Sequence, residues 1–106
     1  MNVAELEKKD DNIIEVKGVL DSDTIMSIMS AGYKLIKSPL TVITFDFRGV
    51  TESDSTALAL LLAWIRYAKK KGKKILYIHV PAAMIEIAAA CRLANFFSFQ
   101  THSKLR

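Results

Sequence analysis

Three segments of extended character, NIIEVKGVL from Asn12, LTVITFDF from Leu40 and KILYIHV from Lys74, alternate with three segments of helical spacing. That alternation constrains the fold more than any other feature. A strand followed by a helix and another strand returns the chain to the same end of a sheet, so neighbouring strands are parallel and the connecting helices pack on them. The expectation is a single α/β domain.

The segments are legible one by one. In NIIEVKGVL, Ile14, Val16 and Leu20 point to one side and Glu15 and Lys17 to the other, as in a half-buried strand. Asp21 and Ser22 then offer acceptors for free backbone N–H groups, and Ile25, Ile28, Met29, Gly32 and Ile36 recur at helical spacing, predicting a helix over about 23–37. Pro39 ends it. LTVITFDF is rich in β-branched and aromatic residues and reads as a strand buried on both faces. After a short break, RGVTE, a cap at Ser53 or Asp54 starts a second helix that runs to Gly72, which suits the left-handed turn past a helix end. KILYIHV is a third strand ended by Pro81, and AAMIEIAAACRLA a third helix. The tail FFSFQTHSKLR stays unassigned.

Composition enters as a bound. A chain of 106 residues with 51% hydrophobic residues has room for one core, and the apolar fraction exceeds what a solvated surface needs. The longest apolar run, Ala57 to Ile65, is nine residues, far below the roughly 20 that span a bilayer. No membrane insertion is expected. The N-terminal MNVAELEKKDD mixes acids and bases where a secretory signal would be basic and then apolar, and a single cysteine fits a reducing compartment. Cytoplasm is the expected location.

The second helix holds the apolar surplus. Leu58, Leu61, Leu62 and Ile65 share one face, expected against the sheet, while Thr56, Leu60, Ala63 and Tyr67 stack along the opposite face with Trp64 at its edge. A solvated helix would carry Glu, Lys and Gln there. The stripe is therefore expected to bind a partner, aromatic anchors being frequent hot spots. The alternative is that another segment of this chain covers it, for example the aromatic tail with Phe96, Phe97 and Phe99.

Gly18-Val19-Leu20-Asp21 before the first helix, Val42 to Phe47 as central strand, Asp54-Ser55-Thr56-Ala57-Leu58 opening the second helix and, more weakly, Lys71-Gly72-Lys73-Lys74 resemble the STAS domain. This is the fold of anti-sigma factor antagonists and of the regulatory domains of sulfate transporters. The resemblance implies a single STAS-like domain over 1–106, its core at about 12–97, with a mixed sheet of about four strands and packed helices. Within the family, residues 54–62 are most similar to the STAS subunit of the Mla phospholipid-transport ABC complex, where Asp-Thr-Ala-Gly leads into a comparable Ala/Leu run; Ser55 then matches the functional threonine. Anti-sigma factor antagonists carry Asp-Ser-Ser/Thr-Gly with the second hydroxyl phosphorylated, and there Thr56 is the match. Both groups usually have glycine where this chain has Ala57.

The resemblance implies a non-catalytic subunit that binds the ATPase of an ABC transporter and sustains its assembly or activity, held peripherally at the inner membrane by that complex. The alternative partner is an anti-sigma factor kinase. The expected partner-binding residues are Asp54, Ser55, Thr56, Leu60, Ala63, Trp64 and Tyr67, with Ser55 and Thr56 as candidate phosphorylation positions. A phosphate at a helix N-terminus is favoured by roughly 0.3–1 kcal/mol and disfavoured in an apolar interface, so it would spare the fold and expel the partner. The plainer reading is that both hydroxyls only cap the helix.

Other chemistry finds little footing. His79, in a predicted strand, and His102 are placed by no catalytic motif, and Cys91 reads as a small buried hydrophobe. Two distant histidines and one cysteine match no metal-ligand spacing, and no glycine-rich phosphate loop is present, so neither cofactor nor metal is expected. The run Lys69-Lys70-Lys71-Gly72-Lys73-Lys74 lacks a recognition helix or aromatic platform and reads as a solvated helix end, not a nucleic-acid site.

Overall fold

A computed structural model describes residues 3–93 and 99–100 of the chain. The elements follow the order β1 (Ala4–Lys8), β2 (Ile13–Leu20), α1 (Ile25–Ile36), β3 (Val42–Ser53), α2 (Thr56–Lys70), β4 (Lys74–Ile78), α3 (Ala82–Ala90) and β5 (Phe99–Gln100). The sheet order is β1-β2-β3-β4-β5. β1 pairs antiparallel with β2, and the remaining neighbours are parallel, so the sheet is mixed as expected. Four strands carry it, since β5 contributes two residues.

Two elements depart from the sequence reading. The charged N-terminal segment forms β1: Ala4 and Leu6 are half-buried while Glu5 and Glu7 are exposed, the alternation of an edge strand that shows its charges to water. RGVTE is no break, because β3 continues through it to Ser53. Register shifts opposite Lys17 and Val19 let the strand keep pairing with β2 along this stretch. Such bulges bend and twist a strand without ending it, and they disguise the alternation.

Gly18 makes the β1 junction possible. Its φ is +99°, and a Cβ there would lie 2.2 Å from the carbonyl oxygen of Val3. Val19 N–H donates to that same oxygen at 2.9 Å.

Ile43, Phe45 and Phe47 of β3 and Ile75 and Tyr77 of β4 are buried beneath the helices. The other side of β3 presents Thr44 and Asp46. The helices form one layer, with α1 against α2 and α2 against α3. α2 therefore meets both the sheet and α1, and needs a broad apolar arc.

That arc corrects the reading of the second helix. Leu60 and Trp64 are both 0% exposed, as core as Leu61. Trp64 stacks on Phe45 with ring centroids 4.1 Å apart, and its Nε1–H donates to the Met29 carbonyl at 3.2 Å. Gly32 supplies the room, for a Cβ on it would fall 2.2 Å from Trp64 Nε1. Leu60 and Trp64 are thus covered within this same chain, where α1 packs on α2; Phe96 and Phe97 lie outside the described residues, and of Phe99 only the backbone is described. The exposed face of α2 is turned by a fraction of a residue step from the expected one. It runs through Thr56, Ala59, Ala63, Arg66, Tyr67 and Lys70, all half-buried or exposed.

Lys73, half-buried, is not one more free lysine of the run. Its Nζ donates to the carbonyls of Ile36 at 2.9 Å, Leu40 at 2.7 Å and Ser38, tying the end of α1 and the loop after it to the start of β4. Gly72 adopts the expected left-handed conformation, φ +70°. Cys91 is exposed at the end of α3, not buried, because the helix stops there.

Candidate functional site

At the C-terminal edge of the parallel strands, two loops meet. Asp54 N–H donates to the Leu20 carbonyl at 3.2 Å, placing the β2–α1 turn beside the β3–α2 turn. Crevices beyond the carboxyl ends of strands are where open α/β sheets collect their binding groups. Asp21 accepts from Asp23 N–H at 2.9 Å, and Thr24 Oγ1 donates to the Val19 carbonyl at 2.7 Å, so the first turn is internally tied.

The second turn opens α2. Its cap position is Ser55, whose side chain makes no capping bond; the capping is done one residue earlier. Asp54 Oδ1 accepts from Thr56 N–H at 2.9 Å and from Thr56 Oγ1–H at 2.5 Å. These two bonds, the hydroxyl first, hold the Asp54 carboxyl below its ordinary range. Asp54 is the cap, as one of the two expected candidates; Ser53 is not.

This arrangement separates the two hydroxyls. Ser55 is exposed, whereas Thr56 is half-buried with its oxygen against the Asp54 carboxylate. The free positive end of the helix that a phosphate on Thr56 would seek is already occupied by that carboxylate, and like charges this close repel. On Ser55 a phosphate meets no such contact. Ala57 is fully buried, so its methyl faces the core and leaves the outer surface clear.

Of the residues expected to bind a partner, the structure gathers Asp54, Ser55 and Thr56 in this turn and carries Ala63 and Tyr67 along the exposed face of α2. Leu60 and Trp64 are removed from it by burial. Ala59, Arg66 and Lys70 join the face instead; the 3.6-residue period contained them, but polarity alone set the centre of the face in the wrong place. Beside Ser53, a shallow cleft of about 330 Å³ is lined by Val50, Thr51, Glu52, Ser53, Pro81 and Ala83.

A second polar cluster lies where β4 ends beside the middle of β3. Asp46, 6% exposed, accepts from Arg48 N–H at 2.9 Å, and His79 Nδ1 lies 3.0 Å from the same carboxylate oxygen. Arg48 Nη2 sits 3.3 Å from both ring nitrogens. His79 follows β4 with φ +55°, so it is neither a strand residue nor isolated. Neither Asp46 nor His79 lines the cleft beside Ser53.

No helix is long and apolar enough among the described residues to cross a membrane. The sequence matches the family model described as "Mlab, STAS domain" over residues 4–100. Comparison with curated proteins finds no match. Among solved structures, the anti-sigma factor antagonist SpoIIAA in its unphosphorylated form is similar at 16% identity, with 97% of this chain and 92% of that chain covered and a TM-score of 0.71. An anti-sigma factor antagonist from Mycobacterium paratuberculosis is similar at 17% identity, with 93% and 85% covered and a TM-score of 0.72. SpoIIAA of Bacillus in the phosphorylated form gives 17% identity, 97% and 96% covered and a TM-score of 0.67.

Proposed function

Because the chain belongs to the MlaB-like STAS domain family, we propose that it is a non-catalytic subunit that docks on the ATPase of an Mla-type ABC transporter and supports it in maintaining outer-membrane phospholipid asymmetry. The observation that carries the reading is the Asp54–Ser55–Thr56 turn, tied at 2.5 Å through its carboxylate and continued by an α2 face of small side chains. Thr56, Ala59 and Ala63 leave a smooth strip, and a partner can approach it without displacing long side chains. The subunit is cytoplasmic and reaches the inner membrane only through the complex. Neither nucleic acid nor a cofactor enters the reading.

Co-purification of the tagged chain with an Mla-type ABC ATPase from its native cells tests this. Thr56→Arg places a long charged side chain in the strip without touching the core and is expected to abolish the complex. Retention of the complex by a folded Thr56→Arg variant overturns the proposal.

A second reading, a phospho-switched anti-sigma factor antagonist, is favoured by the structural neighbours, one of which was solved in a phosphorylated form. Here the exposed Ser55 hydroxyl is the better acceptor by geometry, and Thr56 the better by motif. Incubation with the cognate kinase followed by mass spectrometry is expected to add one phosphate within residues 55–56; no incorporation removes this reading.

A further inference from the structure

Far from the Asp54 turn, α1 and α2 enclose a cleft of about 250 Å³ lined by Tyr33, Ala63, Arg66, Tyr67 and Lys70. Its walls are two half-buried tyrosines with ring centroids 4.7 Å apart. Lys71 Nζ lies 5.5 Å from the Tyr67 ring centre. Neither α1 nor α2 contains an acidic residue. Among the described residues, Arg66, Lys69 and Lys70 make no ion pair. The contrast with β1 and β2 is sharp: there Lys17 meets Glu7 at 2.6 Å and Lys9 meets Glu15 at 3.3 Å. Among the described residues, positive charge at the α1–α2 cleft has no paired counter-charge, and complementary potentials are what select partners.

The geometry points to this cleft as a docking site for an acidic segment of a protein partner. Carboxylates of the segment pair with Arg66 and Lys70, Arg66 offering a planar fork for bidentate bonds, while their methylenes lie on Ala63 and the tyrosine rings. A protein fits better than a lipid surface for two reasons. The tyrosines are packed against each other and do not protrude, as an anchor at a bilayer would, and the concavity takes individual side chains, not a plane of headgroups. The cleft also continues the exposed face that begins at Thr56, about 16 Å away along the helix at 1.5 Å per residue. The inference rests on the docking reading of α2 only through that shared face, and its test involves no ATPase, so the two fail separately.

The probe is a hexaglutamate peptide titrated into the full chain, followed by amide chemical shifts, with vesicles of phosphatidylcholine and phosphatidylglycerol in equal parts as a second arm. Shifts are expected at Tyr33, Ala63, Arg66, Tyr67 and Lys70, with an affinity that falls as salt rises. Arg66→Glu is expected to weaken binding about tenfold, whereas Lys8→Glu, the same change in net charge on the exposed edge strand, leaves it within about twofold. Tyr33→Leu keeps every charge and is expected to weaken binding about threefold by removing one wall. Absence of shifts at about 1 mM peptide, equal losses in Arg66→Glu and Lys8→Glu, or co-sedimentation with the vesicles without peptide binding would each overturn the proposal.

Discussion

Gly32→Ala is expected to destabilise the domain, against the usual direction of such a change. In the interior of a helix, alanine is favoured over glycine by about 1 kcal/mol. At Gly32 the added methyl would lie 2.2, 2.3 and 2.4 Å from Nε1, Cε2 and Cζ2 of Trp64. Carbon contacts settle at about 3.5–4.0 Å, so the indole or α1 must move by more than about 1 Å. The indole has nowhere to go, being 0% exposed and stacked on Phe45. Displacing it forfeits part of an aromatic contact and the bond to the Met29 carbonyl, each of about 1 kcal/mol, in addition to strain. Overpacking of this kind costs about 1–3 kcal/mol, and near the upper end, after the gain in propensity, about 2 kcal/mol of net loss remains. For a domain of this size that lowers Tm by about 8–16 °C. Urea unfolding followed by the emission of Trp64, the sole tryptophan, reads both stability and the displaced ring. Ser30→Ala, on the exposed side of α1, serves as control. A Gly32→Ala variant at least as stable as the parent, with unchanged emission, would refute the account of how α1 and α2 fit.

Lys73→Met should cost about 2 kcal/mol in the same assay, since three carbonyls lose a charged donor, while Lys69→Met should be neutral. Leu60→Glu should unfold the domain, a buried unpaired carboxylate costing about 3–5 kcal/mol, whereas Thr56→Arg should leave its circular dichroism unchanged. The Asp54 carboxyl is held below its ordinary value of 3.8, so its capping contribution is complete above that pH and lost as pH falls through the lower folded value; a carbon-detected titration of Asp54 with the Thr56 amide as reporter checks this. Burial raises the Tyr77 hydroxyl well above 10.0, so stability should decline as pH climbs beyond 10, and less steeply in Tyr77→Phe, which also gives up the bond to the Leu61 carbonyl.

The alternation of three strands and three helices was legible because β-branched runs and helical spacing are local properties. The Asp54 turn was legible for the same reason, carboxylate and hydroxyl being adjacent in the chain. What escaped notice depends on distant neighbours. Leu60 and Trp64 lie off the Leu58–Leu61 stripe, and it takes Phe45 of β3 under the indole and α1, with its glycine at position 32, to make their side of α2 interior. β1 was hidden by its charges, although Ala4, Glu5, Leu6 and Glu7 alternate as an edge strand should. The continuation of β3 past Phe47 was hidden by bulges that break the period of two. Lys73 belongs to a run of lysines that looks uniform until one of them is found to bond three carbonyls.

Lys73 also changes how the charge of the whole chain should be counted. Its ammonium fills three donor positions on peptide oxygens and does the work that a bound metal cation does in other loops. A formal +4 treats every lysine as visible from outside. This one is spent inward, so raising the ionic strength should leave its contribution to stability nearly intact while it fades the attraction of its neighbours for anions. The same short stretch of chain thus holds a fastening indifferent to salt and a lure that depends on it.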